Sequence, residues 1–378
     1  MRKNPIFQRE TLGAAVLHVR SGRATSRTTL AKALAISPST TGLYIDQLIA
    51  DGYLDESGLN QGPMGRPRRI LTTRSDAGWF AGVEFNAQRI QAAGVDFSGA
   101  VQASVETAVP ADATAESVIK SILSCVARLG TKMKGSLLFA GLGVPGLVNA
   151  HSGVGLHYAF IADWNNVPVV EMIGPKLGVP VILQNNLRAI ALAERWFGRG
   201  HDLNNYIILG PRSGFGAAIV QNGQLIEGAH FTAGEVGRWP WPLGGDPKGA
   251  TQEMHHALSA PATWRRLAGV GPRAKQPEDL RAALAAVADV TGKAWDEVCM
   301  DYARVIGCLH MILDTGVFIL HGPLTVLGER FCQSISESAC QLMPALRDSG
   351  LQVVHSTLGD NAGALGAASL AMEAWMPA

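Results

Sequence analysis

The residues best suited to chemistry are Gln184, Asn185 and Asn186, which follow the apolar run of residues 179–183. The Ala- and Leu-rich residues after them, 187–194, predict a helix. The end of a strand that leads into a helix is a common place for ligand-binding and catalytic groups in α/β folds. A carboxylate there could act as a general base, whereas an amide only donates and accepts hydrogen bonds. The two asparagines leave two alternatives, an active site and a site that binds its ligand unchanged.

The elements that position this segment belong to a long body that begins near residue 79. Its apolar strands alternate with amphipathic helices, which is typical of α/β folds. The predicted strands include WFAGVEF, IQAAGVDF and SVETAVP, followed by a helix over residues 115–129. A similar strand-rich opening recurs near residue 205, in YIILG, GFGAAIV and GQLIEG. The recurrence predicts two similar lobes with a cleft that binds a small molecule.

The composition is that of a folded chain with two or three domains, because 47% of its 378 residues are hydrophobic and 17% are charged. No apolar run approaches the ~20 residues that span a bilayer. No signal-peptide pattern follows the N-terminal charges, so the expected location is the cytoplasm, without membrane contact. The five cysteines form no C-x-x-C pair, which predicts reduced thiols rather than disulfides or a zinc ribbon.

The charge is unevenly distributed along the chain. Residues 1–75 contain 11 basic and 5 acidic residues, whereas the remainder contains 21 basic and 26 acidic residues. The net charge of +1 therefore hides a basic N-terminal segment, which predicts a polyanionic partner for that end.

The basic segment carries the signals of a winged helix-turn-helix. Residues 9–20 show a helical apolar stripe, and a short helix follows Ser26 or Thr28. Ser37 as N-cap and Pro38 as first residue predict the start of a third helix, which Gly52 ends. The next residues, YLDESGLNQGPMGRPRRILTTR, predict two short strands around a Gly/Pro-rich tip. The alternative is a solvated helical bundle with a basic linker.

In a winged helix-turn-helix the third helix enters the major groove and the wing contacts the backbone or the minor groove. The candidate DNA-binding residues are Ser39, Thr40 and Leu43 in the helix and Arg66, Arg68 and Arg69 in the wing.

Several motifs together resemble the ROK family of repressors and sugar kinases. They are GPMGRPRRILTT leading into GVEF, then GLGVPGLVN, DWNNVPVVEMIGPKLGVPVILQNNLRAIALAE, GFGAAIVQNGQLIEGAHFTAGEVGR and STLGDNAGALGAASLA. Their order and spacing match the family over nearly the whole chain. The resemblance implies an actin-like, two-lobed α/β body of the sugar kinase type, preceded by the winged helix-turn-helix of the family's repressors.

The nucleotide motifs of the family's kinases are weakened in this sequence. Glu84-Phe85-Asn86-Ala87-Gln88 stands where the kinases have an Asp-x-Gly-Gly-Thr turn that holds ATP phosphates. Side chains at Asn86 and Ala87 obstruct the close approach that glycines allow. The second phosphate turn is only partly kept as residues 212–216, and His321-Gly322 replaces a Gly-Gly pair near adenine. Productive ATP binding is therefore not expected.

The general base of the kinases is also replaced. Their Glu-Asn-Asp-Ala-Asn stretch corresponds to residues 184–188, so Asn186 stands in place of the aspartate that takes the proton from the sugar hydroxyl. Loss of a general base costs about 10²–10⁴ in rate. The resemblance thus predicts no enzyme activity and no catalytic residue.

Sugar binding is still expected, because amides hydrogen-bond hydroxyl groups. The family's sugar-binding glutamate corresponds to Glu235, its histidine to Arg238, and its next glutamate to Glu253 or His255, depending on a two-residue gap. The complete set of candidate sugar-binding residues is Asn185, Asn186, Glu235, Arg238, Glu253 and His255. Arg188 and Arg238 suggest a phosphorylated or acidic sugar, and internal salt bridges are the alternative role for both.

No metal and no other cofactor is expected. Many family members bind zinc through the histidine and a Cys-x-Cys-x4-Cys run, but residues 239–253 contain no cysteine. The adjacent His255 and His256 offer only two ligands, fewer than a metal site requires.

The predicted protein is a sugar-responsive transcriptional regulator, most simply a repressor that binds a palindromic operator as a homodimer or homotetramer. The alternatives are an atypical sugar kinase and a DNA-binding regulator whose sugar site has decayed. The predicted domains are residues 1–75, 76–195 and 196–378, with the last helix a candidate to return to the first lobe.

Overall fold

The N-terminal region folds into three helices and a two-stranded antiparallel sheet. The computed structural model describes residues 5–60, 68–242 and 251–377. The elements are α1 (Pro5–Arg20), α2 (Arg27–Leu34), α3 (Pro38–Ala50), β1 (Leu54–Asn60) and β2 (Arg68–Thr73). The side chains of Ser26 and Ser37 accept hydrogen bonds from the backbone N–H groups of Thr29 and Thr40, which caps α2 and α3. These helices therefore begin where the sequence predicted.

The first sheet carries the segment that contains Asn185 and Asn186. Its strands are β3 (Trp79–Phe85), β4 (Arg89–Asp96), β5 (Val101–Ala108), β6 (Leu137–Val144) and β10 (Val181–Asn185), in the order β5-β4-β3-β6-β10. The strands β3 to β5 form an antiparallel meander, and β6 and β10 run parallel to β3. The other elements of this stretch are α4 (Ala115–Gly130), β7 (Leu147–Asn149), β8 (Val154–His157), β9 (Asn165–Val167), α5 (Val169–Leu177) and α6 (Asn186–Phe197).

The second sheet repeats the arrangement of the first. Its strands are β11 (Tyr206–Leu209), β12 (Ala217–Gln221), β13 (Gln224–Leu225), β16 (Val317–Leu320) and β17 (Gln352–His355). The order is β13-β12-β11-β16-β17, with β11 to β13 antiparallel and β16 and β17 parallel to β11. The two sheets thus share strand order and strand directions, as the recurrence in the sequence predicted.

The remaining strands and α-helices all follow β13 along the chain. They are β14 (Pro240–Pro242), β15 (Thr251–Glu253), α7 (His255–Leu258), α8 (Ala260–Leu267), α9 (Leu280–Ala285), α10 (Lys293–Leu313), α11 (Gly328–Leu342), α12 (Ala345–Asp348) and α13 (Ala362–Ala374). Among the described residues, no helix is both long and apolar enough to cross a membrane.

The chain forms two compact units, Met1–Ala189 with Gly363–Ala378, and Ile190–Ala362. The first unit combines the N-terminal helices, the first sheet and α13. The helix α13 lies directly on this sheet, since a Cβ atom added at Gly82 would lie 2.0 Å from the carbonyl oxygen of Ala364. Only glycine allows so close an approach. The three-domain division predicted from the sequence stays a prediction.

A buried arginine joins α1 to the rest of the first unit. Arg20 donates from Nε to the carbonyl oxygen of Phe97 at 2.8 Å and from Nη1 to that of Met372 in α13 at 2.9 Å. Its guanidinium lies over the rings of Phe80 and Phe97, 4.9 and 4.5 Å from their centroids. Burial lowers the pKa of Arg20 to about 9, partly offset by Asp96, so the group stays charged at neutral pH.

Candidate functional site

The side chain of Asn185 caps the helix that follows it. Its Oδ1 accepts hydrogen bonds from the backbone N–H groups of Leu187 and Arg188 at 3.0 and 3.3 Å. Its Nδ2 donates to the carbonyl oxygen of Gly146 at 2.9 Å. The carbonyl group of this amide is therefore occupied by α6, and a sugar could engage Asn185 mainly through the second amide hydrogen.

Asn186, the first residue of α6, is paired with a buried carboxylate. Its Nδ2 donates to Oε1 of Glu84 at 3.1 Å, and Glu84 is 1% exposed. An ionised carboxylate can only accept hydrogen bonds, so it orients the donor side of the amide toward itself. Oδ1 of Asn186 does not take part in this bond, and as an amide oxygen it can accept a hydrogen bond from a hydroxyl group.

Two glycines make room for this pair. A Cβ atom at Gly363 would lie 2.5 Å from Cγ of Glu84, and one at Gly143 would lie 3.3 Å from it. Any larger residue at position 363 would displace the carboxylate from Asn186. The sequence identified Glu84 as the replacement of a kinase aspartate, but not as the partner of Asn186, because 102 residues separate them.

In the turn after β3, backbone N–H groups donate hydrogen bonds to a side chain of the same turn. Oδ1 of Asn86 accepts hydrogen bonds from the N–H groups of Gln88 and Arg89 at 2.8 and 3.1 Å. A phosphate-binding turn needs such N–H groups directed at its ligand. Here the side chain of Asn86 accepts two hydrogen bonds from these N–H groups, and the loss of the phosphate contact stays a prediction.

His321, which stands where the kinases have a glycine, places a buried imidazole in this segment. The imidazole is 6% exposed, and burial, with a smaller effect of the Arg212 charge, lowers its pKa to about 3. His321 is therefore neutral over the physiological pH range. The following Gly322 has a φ angle of +110° and approaches the Pro211 carbonyl, which a side chain would strain.

Four of the predicted sugar-binding residues come together in the second unit. Nε of Arg238 lies 3.4 Å from Oε2 of Glu235, and Nδ1 of His255 lies 3.2 Å from Oε2 of Glu253. Burial lowers the pKa of His255, and the neighbouring His256 lowers it further. Glu253 and His255, left open as alternatives by the sequence, are both available in the same cluster.

The two arginines proposed as anion contacts have different surroundings. Arg188 is 3% exposed, and its Nη1 lies 3.5 Å from Oε1 of Gln184, so it is part of the interior rather than an open anion site. Arg238 is largely exposed but pairs with Glu235. Arg238 thus forms an internal ion pair, whereas Arg188 contacts a neutral amide. The hypothesis of an anionic sugar stays a prediction.

Five of the six predicted DNA-binding residues lie on α3 and β2. Ser39 is exposed, Thr40 is partly exposed, and the Leu43 side chain is 67% exposed although apolar. The opposite face of α3 is buried through Thr41, Tyr44, Ile45 and Leu48. Arg69 is exposed on β2. Arg68 lies in the same strand, and Arg66 lies outside the described residues.

Sequence reasoning missed the residues that hold these elements in place. Arg27 in α2 pairs with Asp46 of α3 at 2.6 Å and with Glu56 of β1 at 2.8 Å. Arg20 anchors α1 in the same unit. Both arginines were counted only in the charge of the basic segment, and no local pattern distinguished them from arginines exposed to solvent.

Comparison with known proteins identifies the family. The ROK family matches residues 80–374. A xylose repressor of Caldicellulosiruptor bescii is 30% identical over 216 residues, covering 56% of this chain and 54% of that protein. The chain thus spans about half the length of the first curated relatives that it matches. A glucokinase of Thermotoga maritima is 26% identical over 256 residues, 62% of this chain and 79% of that protein.

One solved structure shares the fold of this chain over nearly its whole length. A ROK family transcriptional regulator, a homologue of the E. coli Mlc protein, superposes with a TM-score of 0.78 at 21% identity and covers 97% of both chains. The body therefore has the mixed α/β fold of the family, which corresponds to the actin-like body expected from the sequence. The chain belongs to the ROK family.

Proposed function

We propose that this member of the ROK family is a sugar-responsive DNA-binding transcriptional regulator, and specifically a repressor. The observation that carries the proposal is the exposed side of α3. Ser39 and Leu43 face solvent while the opposite side of the helix is buried. An exposed leucine on a capped helix in a basic segment suits contact with base edges and thymine methyl groups in the major groove.

The three helices and the β1–β2 hairpin then form a winged helix-turn-helix. Its wing, with Arg66, Arg68 and Arg69, would contact phosphates or the minor groove. The similarity to a xylose repressor and to a ROK transcriptional regulator supports this reading. As in other DNA-binding proteins of this type, a palindromic operator and a symmetric oligomer are expected.

In the first unit, the sugar effector is proposed to contact Asn185 and Asn186. In the second unit, the proposed sugar-binding residues are Glu235, Arg238, Glu253 and His255. The Asn186 amide can hold a hydroxyl group but cannot take its proton. The amides of the turn after β3 are engaged by Asn86. Binding without phosphoryl transfer is therefore the favoured chemistry, and no catalytic residue is assigned.

The competing function is a sugar kinase, which the similarity to a glucokinase keeps as an alternative. A thermal-shift screen with neutral, phosphorylated and acidic sugars, combined with an ATP-turnover assay, separates the two. We expect at least one sugar to raise the melting temperature without ATP consumption, since a ligand that binds only the native state stabilises it. Sugar-dependent ATP turnover would favour the kinase, and the lack of any shift would favour a decayed sugar site.

Replacing Leu43 by Ala should reduce affinity for a DNA sequence selected from a random library by roughly 5- to 30-fold, about 1–2 kcal/mol. The reason is the loss of an apolar contact in the groove, so binding to unrelated DNA should change little. Fluorescence anisotropy at fixed salt measures both affinities. Met311→Ala, which truncates another strongly exposed apolar side chain, is the matched control. Equal affinities of Leu43→Ala and wild type would contradict the assignment of α3.

A further inference from the structure

Three potential metal ligands lie together where β15 leads into α7. Glu253 ends β15, and His255 and His256 open α7. One ligand atom from each of the three side chains lies within 4.8 Å of the other two. Nδ1 of His255 and Oε2 of Glu253 are 3.2 Å apart, and the two imidazole rings have centroids 4.0 Å apart.

The backbone fixes these side chains on one side of the chain. Glu253 is paired with Pro240 in the β14–β15 ladder, and the N–H group of Met254 donates to the carbonyl oxygen of Trp239 at 2.9 Å. Met254 is buried in the core of the second unit, as is Leu258, whereas the three ligands remain accessible. The cluster therefore sits on an anchored segment.

The chemistry of the set is that of a transition-metal site. Two imidazoles and one carboxylate are ligands that Zn²⁺ and related divalent ions bind at about 2.0–2.2 Å, which places ligand atoms about 3–4 Å from one another. The Glu253–His255 distance already lies in this range. The remaining separations need only a side-chain rotation, and His256 is exposed enough to rotate.

Neighbouring charges leave the carboxylate available. The guanidinium of Arg238 pairs with Glu235 at 3.4 Å, whereas the ion pair found for Glu253 within the described residues is with His255 itself. The sequence argued against a metal because the adjacent histidines give two ligands. The fold supplies the third.

We propose that Glu253, His255 and His256 bind one divalent transition-metal ion, with water in the remaining positions. The three ligands differ from the histidine and cysteines that bind zinc in many family members, since none of them is a cysteine. It does not depend on DNA or sugar binding, although an ion there would contact two of the proposed sugar ligands.

The test is calorimetric titration of the full chain with Zn²⁺ after dialysis against a chelator. Wild type should bind one equivalent, and His256→Ala should bind it at least roughly tenfold more weakly, because a direct ligand is lost. His256 is chosen because it is exposed and is not a proposed sugar contact. Glu253→Gln should show the same loss.

The matched control is His201→Ala, which removes another exposed histidine that contacts a single carboxylate, Asp202. It should leave the one-equivalent site unchanged. Failure of wild type to bind Zn²⁺, or equal affinities of wild type and His256→Ala, would overturn the proposal. Either result would leave the proposed regulator function intact.

Discussion

Asn186→Asp should lower the free energy of unfolding by about 3 kcal/mol at pH 8 and should not produce a kinase. The substitution replaces the hydrogen bond from Nδ2 of Asn186 to Oε1 of Glu84, 3.1 Å long, with two adjacent carboxylates. Glu84 is almost fully buried, so their repulsion is poorly screened.

The loss of unfolding free energy in Asn186→Asp should be larger at high pH than at low pH. Two buried carboxylates this close repel each other, and protonation of either one removes the repulsion. The variant is therefore destabilised at a pH where both carboxyls are ionised, and the loss disappears when one of them is protonated. Urea unfolding at pH 5 and pH 8 should show a deficit at pH 5 that is less than half of the deficit at pH 8.

Asn86→Asp is the matched control for this variant. Oδ1 of Asn86 accepts two backbone hydrogen bonds, a role that a carboxylate also fills. The free energy of unfolding of Asn86→Asp should therefore stay within about 0.5 kcal/mol of wild type. If Asn186→Asp were as stable as wild type at pH 8, the described pairing with Glu84 would be wrong. If it consumed ATP with a sugar, the prediction that it is not a kinase would be wrong.

Arg20→Met should destabilise the first unit by about 3 kcal/mol. Methionine keeps much of the apolar stem but leaves the carbonyl oxygens of Phe97 and Met372 without their donors, and it removes the cation from the rings of Phe80 and Phe97. Release of a buried charge offsets part of this loss. Chemical unfolding of the full chain measures the change.

Arg23→Met provides the comparison, because Arg23 is exposed three residues further along the chain. It should alter stability by less than about 0.5 kcal/mol. Equal stabilities of the two variants would show that Arg20 does not anchor α1. Tyr53 makes a further contact in this unit, because its ring stacks on Phe97 and meets the ring of Trp375 edge to face.

Local signals were sufficient to predict most of the elements. Ser37 and Pro38 place the start of α3, and the change from apolar run to Ala/Leu pattern places the β10–α6 boundary at Asn185 and Asn186. The recurrence near residue 205 anticipated two sheets of the same topology. These features depend on neighbours along the chain, which the sequence displays directly.

Contacts between distant residues could not be predicted in the same way. The Asn186–Glu84 pair spans 102 residues, and Arg20 reaches the carbonyl of Met372 across 352. The burial of Arg188 is also a property of the assembled interior. The capping role of Asn185 is a local feature that the sequence does signal, because asparagine is a preferred N-cap residue.

The proposed function requires that sugar binding change the affinity for DNA without phosphoryl transfer. Such coupling requires the sugar to bind the two states of the regulator with different affinity. The most direct test is the affinity of the full chain for its selected DNA sequence, measured without ATP, with and without a sugar that shifts its melting temperature. We expect the sugar to change DNA affinity roughly tenfold, within the usual range of coupling, and Asn186→Ala to abolish this change. DNA affinity that no stabilising sugar alters would contradict it.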